Sequence, residues 1–242
     1  MSNLLVGVLC EDGIVVGSAD SGPGETGRVD PAEEPAASTF VVRKDLIVAG
    51  VGRTGLGQRF AQVVASIRSD SRFRDWTSLT VAKMISAEAI DEFASTRADM
   101  GHFGALVALA ACDGFELCEF SARDLQPEWK TPDRPFASLG AGRSVARPFL
   151  RFLQRVFFTD SPPTFAEGVF AATWALDYAI GGSGPGLAAE SLKIAVLARE
   201  TPDVQLTARL LPAGELSDAL AHVRAAEKHL AAYRRELRGS SR

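Results

Sequence analysis

Asp20 and Ser21 place a carboxylate beside a hydroxyl at the end of an apolar run near the start of the chain. The runs LLVGVLC and IVVGSADS flank Asp12-Gly13, a dipeptide that readily takes the positive φ values of a tight hairpin turn. The pattern predicts a β-hairpin over residues 4–21, with the N-terminus beside the same sheet. Carboxylates and hydroxyls serve acid–base and nucleophilic chemistry. The structural alternative is that Asp20 caps a turn.

A second candidate is the stretch GVGRTG at residues 50–55, which matches the G-x-G-x-x-G pattern, follows a predicted strand and opens a helix. A dinucleotide-binding unit needs a parallel strand directly after that helix, ending in the acid that holds the ribose. Residues 78–97 predict a second helix instead, and the strands before the motif pair as a hairpin. We therefore interpret the stretch as a structural turn and expect no bound cofactor.

The cysteines and histidines do not form a pattern typical of a metal site. Cys10, Cys112 and Cys118 each lie in or beside an apolar, strand-like run, which is typical of small buried core residues. His222 and His229 share a helical face two turns apart, too far for joint ligation of one ion. We expect no metal centre.

Composition narrows the class of protein. The chain has 242 residues, of which 46% are hydrophobic and 23% charged, as is usual for a globular protein. No apolar run approaches the roughly 20 residues that span a bilayer, and no signal peptide is recognisable, so we expect a cytoplasmic protein with no membrane partner. The net charge of −4 argues against a nucleic-acid partner.

The elements that must position these residues follow from hydrophobic periodicity and turn signals. In chain order after the first hairpin, the patterns predict a loop at 21–37, strands at 38–42 and 46–49, a helix with apolar positions between 56 and 67, a helix at 78–97 and a hairpin at 103–120. They then predict a strand at 136–139, a helix from the glycines at 140–142 through 158, a helix at 164–180 that begins with a Thr164–Glu167 capping box, and strands at 192–197 and 204–211. The last predicted element is a helix at 216–237, whose inward positions are Leu216, Leu220, Val223, Leu230, Tyr233 and Leu237. Antiparallel strand pairs alternating with helix pairs favour an α+β fold, a four-layer αββα sandwich formed by residues 1–242 as one domain.

The order of elements and several motifs resemble the proteasome-type N-terminal-nucleophile (Ntn) hydrolases, namely proteasome β-subunits and their bacterial relatives. LLVGVLCEDGIVVGSADS resembles the first two strands of such a subunit, and FVVRKDLIVAGVG is similar to the third and fourth strands with the Ala-Gly that follows them. SLGAG resembles the segment before the third helix, and ALDYAIGGSGPG resembles the end of the fourth helix.

The resemblance implies a peptidase chemistry in which an N-terminal threonine attacks the amide while its own α-amine takes the proton. A lysine on the third strand and an aspartate after the second tune that pair, and a backbone N–H of the Ala-Gly stretch stabilises the oxyanion. Carried over to this chain, Asp20 matches the aspartate, Gly50 the oxyanion glycine and Ser183 the serine after the fourth helix. An extended peptide or protein would be the substrate.

Other positions depart from the family pattern. Alignment on Gly7 puts Asn3 at the threonine, and alignment on Phe40 puts Ser38 at the lysine. Ala141 and Ile180 replace a serine and an aspartate of the family. Ser2 would combine a hydroxyl with a free amine if Met1 is removed. Lys44 lies six residues from Ser38, roughly 20 Å along the strand, and cannot replace the lysine, which leaves Arg28 in the long loop as the alternative cation.

Two functions follow from the resemblance. The first is a degenerate, non-catalytic or weakly active subunit of a homo-oligomeric ring, which the missing lysine favours. The second is a divergent amidohydrolase with Ser2 as nucleophile and base, Asp20 as the orienting acid and the Gly50 region as oxyanion donor. A chain that begins directly at the first strand favours the second, because non-catalytic α-type subunits carry an extra helix there.

Overall fold

The fold is a mixed α+β arrangement, described from a computed structural model over residues 3–20, 38–99, 101, 103–111, 114–182, 189–199 and 206–239. Ten strands, five α-helices and two short 3-10 helices lie within these residues. In chain order they are β1 (Asn3–Leu9), β2 (Gly13–Asp20), β3 (Thr39–Arg43), β4 (Leu46–Val51), α1 (Thr54–Ser69), a 3-10 helix (Ser71–Asp75), α2 (Ser78–Ser95), β5 (Gly104–Ala111), β6 (Gly114–Phe120), β7 (Pro127–Trp129), β8 (Phe136–Gly140), α3 (Arg143–Phe157), α4 (Phe165–Gly182), a 3-10 helix (Ala189–Ser191), β9 (Lys193–Ala198), β10 (Thr207–Leu210) and α5 (Ala213–Gly239).

The strands form two antiparallel sheets of five. Sheet I has the order β10-β9-β2-β1-β8, and sheet II has the order β3-β4-β5-β6-β7. The predicted hairpins β1–β2 and β5–β6 are confirmed as directly paired strands, and so is the pair β3–β4. The predicted loop at 21–37 lies outside the described residues.

Side chains on one face of each sheet form a shared apolar cluster. Leu5, Ile14 and Val16 of sheet I pack in it with Ile47 and Leu106 of sheet II. Because successive strand side chains point to opposite faces, the alternate residues of the same strands pack against helices.

The helices cover those other faces. Leu4, Val6 and Val15 of sheet I join residues of α3 and α4 in one cluster. Val48 and Val107 of sheet II join residues of α1 and α2 in another. Every residue of β1 is buried, as a strand with apolar partners on both faces must be.

The helix α4 approaches sheet I closely because its buried face consists mainly of Gly and Ala, including Gly168, Ala172 and Ala175. A Cβ added at Gly168 would meet the Cys10 sulfur. The predicted capping box at the start of α4 is confirmed, since the Thr164 N–H donates to Glu167 Oε2 at 2.8 Å and the Glu167 N–H donates to Thr164 Oγ1 at 3.5 Å.

The prediction that all apolar residues of the last helix face inward is wrong for its second half. Val223 is fully buried, whereas the exposed fractions of Leu230, Tyr233 and Leu237 are 54–57%. The apolar spacing of α5 continues beyond the stretch that packs on other elements, so periodicity alone does not show which half has a partner.

Two smaller differences concern element bounds. The strand β7 was not predicted, because its three residues begin with Pro127 in a proline-rich segment. The helix α4 continues to Gly182, two residues past its predicted end at Ile180. None of the described helices is long and apolar enough to cross a membrane.

We expect Gly168→Ala to lower the free energy of unfolding by about 1–3 kcal/mol, because the added methyl group would force α4 away from sheet I. The control is Gly181→Ala in the same helix, where an added Cβ has no neighbour within 4 Å. That substitution should be neutral or stabilise by up to about 1 kcal/mol through helix propensity. Urea unfolding followed by circular dichroism measures both, and equal effects at the two positions would contradict the close packing.

Candidate functional site

The candidate site is the edge of the inter-sheet space where β2 ends and β1 begins. The β1–β2 register sets Asn3 opposite Asp20. Asn3 has the same strand parity as the inter-sheet residue Leu5, and Asp20 the same parity as Val16, so both side chains are directed toward sheet II. Asn3 is only 6% exposed and Asp20 is half-buried.

Asp20 is bonded through both its side chain and its backbone. Its Oδ1 accepts the Ser38 N–H at 3.0 Å and the Ser38 hydroxyl at 2.5 Å. Its own N–H donates to Ser191 Oγ at 2.7 Å, and that hydroxyl donates to the Asp20 carbonyl, also at 2.7 Å. Asp20 therefore joins the end of β2 to the residue before β3 and to the short 3-10 helix before β9.

Ser38 occupies the position that alignment on Phe40 gives to the lysine of the Ntn hydrolases. Its hydroxyl satisfies the Asp20 carboxylate with a hydrogen bond but adds no charge. No Lys or Arg of the described residues forms an ion pair with Asp20, and Arg28 lies outside those residues. The described part of the site thus holds a carboxylate and a neutral hydroxyl.

Gly50 is a strand residue that lies beside this edge. It pairs with Thr39 on β3 and with Ala105 on β5. A Cβ on Gly50 would come within 2.7 Å of the Phe103 ring, so close packing requires glycine here. The backbone then turns at Gly52, whose φ of +120° favours glycine.

The same pairing decides between the two interpretations of the 50–55 stretch. The strand β4 is antiparallel to both of its neighbours, and α1 is followed by α2 rather than by a strand. A dinucleotide-binding unit is parallel at this point. The stretch is a strand-to-helix turn, as interpreted from the sequence.

The end of β8 encloses Asn3 from its other side. Gly140 has a φ of +93°, and a Cβ there would meet the Asn3 carbonyl oxygen. The Gly142 N–H donates to that same oxygen at 3.3 Å. Backbone of the SLGAG segment therefore fixes the position of Asn3, whose side chain is an amide.

The structure brings Asp20, Ser38 and Gly50 to one edge, whereas Ser2 and Ser183 lie outside the described residues. Sequence reasoning missed Ser191, because an isolated serine before a strand carries no signal of its long-range bond to Asp20. It also missed Ser18, which has the parity of Asp20 on β2 and is 1% exposed. The Ser18 hydroxyl has no hydrogen-bond partner among the described residues.

The two described cysteines, Cys10 and Cys118, do not provide an alternative nucleophile. Cys10 and Cys118 are each 4% exposed, as expected for core residues. Burial raises the pKa of both thiols well above the ordinary value, and Asp12 and Glu167 raise that of Cys10 further. Cys112 lies outside the described residues, and the described residues contain no cluster of three metal-binding side chains.

A scan against models of protein families finds no match to this chain, and a search of curated proteins also finds none.

We expect Asp20→Ala to lower the free energy of unfolding by about 1–3 kcal/mol, because it leaves the half-buried Ser38 N–H without its acceptor. Ser38→Ala should cost less, about 1 kcal/mol, since the backbone N–H bond to Asp20 remains. Chemical denaturation of both variants, with the exposed Asp160→Ala as control, measures the difference. An Asp20→Ala variant as stable as the Asp160→Ala control would show that the carboxylate does not tie these segments together.

Proposed function

We propose that this protein is a divergent member of the proteasome-type Ntn hydrolase family and acts as a non-catalytic subunit of a homo-oligomeric ring. The observation that carries the proposal is the bond between Asp20 and the Ser38 hydroxyl, at the place where the family chemistry requires a lysine. Two facing sheets with helices on their outer faces support the four-layer αββα arrangement of that family.

The missing cation matters for the physical chemistry of an N-terminal nucleophile. A nearby ammonium lowers the pKa of the α-amine, so that more of the amine is neutral and able to take the hydroxyl proton. The neutral Ser38 hydroxyl has no positive charge that would lower the pKa of the α-amine. The side chain opposite Asp20 is the amide of Asn3, which is not a nucleophile. Both features favour a scaffold in which Asp20 holds segments together.

The alternative is an amidohydrolase with Ser2 as nucleophile. The β1–β2 register supports this alternative, because Ser2 directly precedes Asn3, the residue that is paired with Asp20. In that case the α-amine of Ser2 would act as the base, Asp20 would orient the pair and backbone near Gly50 would stabilise the oxyanion. An extended peptide would then be the substrate.

An exposed apolar surface supports the homo-oligomer. Three side chains of α3, Phe152, Val156 and Phe157, are 36–52% exposed, and Tyr178 of α4 beside them is 48% exposed. The Tyr178 ring stacks on Phe149 with 4.3 Å between centroids. Large exposed apolar side chains that lie together mark interaction surfaces, and a second copy of the chain is the proposed occupant.

Intact-mass spectrometry with a β-lactone that acylates N-terminal nucleophiles distinguishes the two functions. We expect the wild-type chain to form no adduct, because no described cation activates the site. The same spectrum shows whether Met1 is retained. If Met1 is retained, the Ser2 nitrogen is part of a peptide bond and cannot act as a base.

The control for that experiment is Ser2→Ala. A wild-type adduct that disappears in Ser2→Ala would overturn the non-catalytic proposal and establish Ser2 as the nucleophile. A wild-type adduct that persists in Ser2→Ala lies on another side chain, which peptide mapping would locate, and would leave the N-terminal chemistry without support.

Light scattering after size exclusion tests the oligomer. We expect the wild-type chain to have the mass of several subunits and Val156→Arg to shift that mass toward the monomer, because a cation would be placed in the contact. Leu79→Arg on α2 is the matched control, since Leu79 is 51% exposed and Val156 is 52% exposed. A monomeric wild type contradicts the ring, and equal effects of the two variants contradict a contact through α3.

A further inference from the structure

A cavity of about 320 Å³ lies between α3 and the segment that joins β7 to β8, away from Asp20. Its wall carries five cationic side chains and two carboxylates, and its apolar floor includes Phe136 and Leu150. The volume is within the range of small-molecule sites, about 300–1,000 Å³. The charged wall residues are Lys130, Arg134, Arg143, Arg147, Arg151, Glu119 and Glu128.

Lys130 bridges the two carboxylates and compensates one of their two negative charges. Its ammonium lies 2.7 Å from Glu119 Oε2 and 2.8 Å from Glu128 Oε1, and its side chain is only 4% exposed. Glu119 and Glu128 are register partners on β6 and β7, so the lysine also relieves the repulsion between them. These three groups together carry a net charge of −1, whereas the four arginines of the wall carry +4, so the cavity wall has an excess of positive charge.

The four guanidinium groups have no ion pair with any described residue. Three of them, Arg143, Arg147 and Arg151, are spaced four apart along α3 and therefore lie on one face of the helix. Arg134 comes from the turn before β8, which α3 holds through the Gln154 side-chain amide bonded to the Asp133 carbonyl at 2.9 Å.

This arrangement is electrostatically unfavourable without an anion. Like charges four residues apart destabilise a helix, and a cation in its first turn opposes the helix dipole. The first turn of α3 contains Arg143 and no acid, and Gly142 gives it no side-chain cap. Arg147 and Arg134, after Lys130, lower the pKa of the Glu128 carboxyl, so the field of these guanidinium groups reaches the cavity.

We propose that this cavity binds a small molecule that carries phosphate groups. Guanidinium forks bind phosphate oxygens in pairs, and several forks around one cavity suit a tetrahedral dianion better than a planar carboxylate, which one fork satisfies. The apolar floor formed by Phe136 and Leu150 contacts the body of the ligand. This site is separate from Asp20 and does not depend on whether Ser2 is a nucleophile.

Isothermal titration calorimetry of the full chain with pyrophosphate tests the proposal. We expect saturable binding of one pyrophosphate per chain, and a loss of affinity of about tenfold or more in Arg147→Gln and in Arg143→Gln, as for a lost charged hydrogen bond. Arg143 and Arg147 are both exposed, so these two variants should fold like the wild type. Arg155→Gln is the matched control, because Arg155 is an exposed arginine of the same helix that does not line the cavity.

Three outcomes would overturn the proposal. The first is no saturable heat with pyrophosphate at low ionic strength. The second is an equal loss of affinity in Arg155→Gln and Arg147→Gln, which would show diffuse attraction to the helix. The third is that citrate or a DNA duplex binds more tightly than pyrophosphate and that this binding is lost in Arg143→Gln and Arg147→Gln. That result would assign the site to a polycarboxylate or to a nucleic-acid backbone.

Discussion

The pairing of β1 with β2 on one side and β8 on the other determines where every residue of the candidate site lies. Each residue of β1 is buried, with the second sheet on one face and α3 and α4 on the other. A slip of one residue would exchange the two faces and direct Leu4 toward sheet II in place of Leu5. Because such a slip would disrupt both apolar clusters, the register that sets Asn3 opposite Asp20 is strongly specified.

Among the described residues, the Asp20 carboxylate is satisfied by hydrogen bonds and forms no ion pair. A half-buried carboxylate without hydrogen bonds is costly, and Ser38 satisfies it with two donors. A buried charge that has neither a counter-ion nor hydrogen bonds is strongly destabilising, and the two Ser38 donors supply hydrogen bonds to the half-buried Asp20 carboxylate. Two neutral donors are therefore enough to join the end of β2 to the segment before β3.

Local signals predicted most of the fold but only part of the site. The Asp-Gly turns, the strand periodicity and the Thr164–Glu167 capping box act between near neighbours, so the hairpins and the start of α4 could be placed from sequence alone. The exposure of the end of α5 could not be predicted, because the apolar spacing from Leu230 to Leu237 does not show whether another element packs against those side chains. The bond of Ser191 to Asp20 spans 171 residues, and only the packed sheet brings the two together.

The charge of α3 is the feature that the fold itself does not require. Ala146, Leu150 and Leu153 already fix the helix against the core. The sequence of α3 has four arginines and no acid, in a chain whose net charge is −4. Surface cations of a helix are ordinarily paired with carboxylates or lie at its C-terminus. Arg143, Arg147 and Arg151 form no ion pair with a described residue and precede the last turn of α3. Neither packing within the chain nor an ion pair with a described residue accounts for them, and the proposed phosphate ligand would give their alignment along one cavity a physical reason.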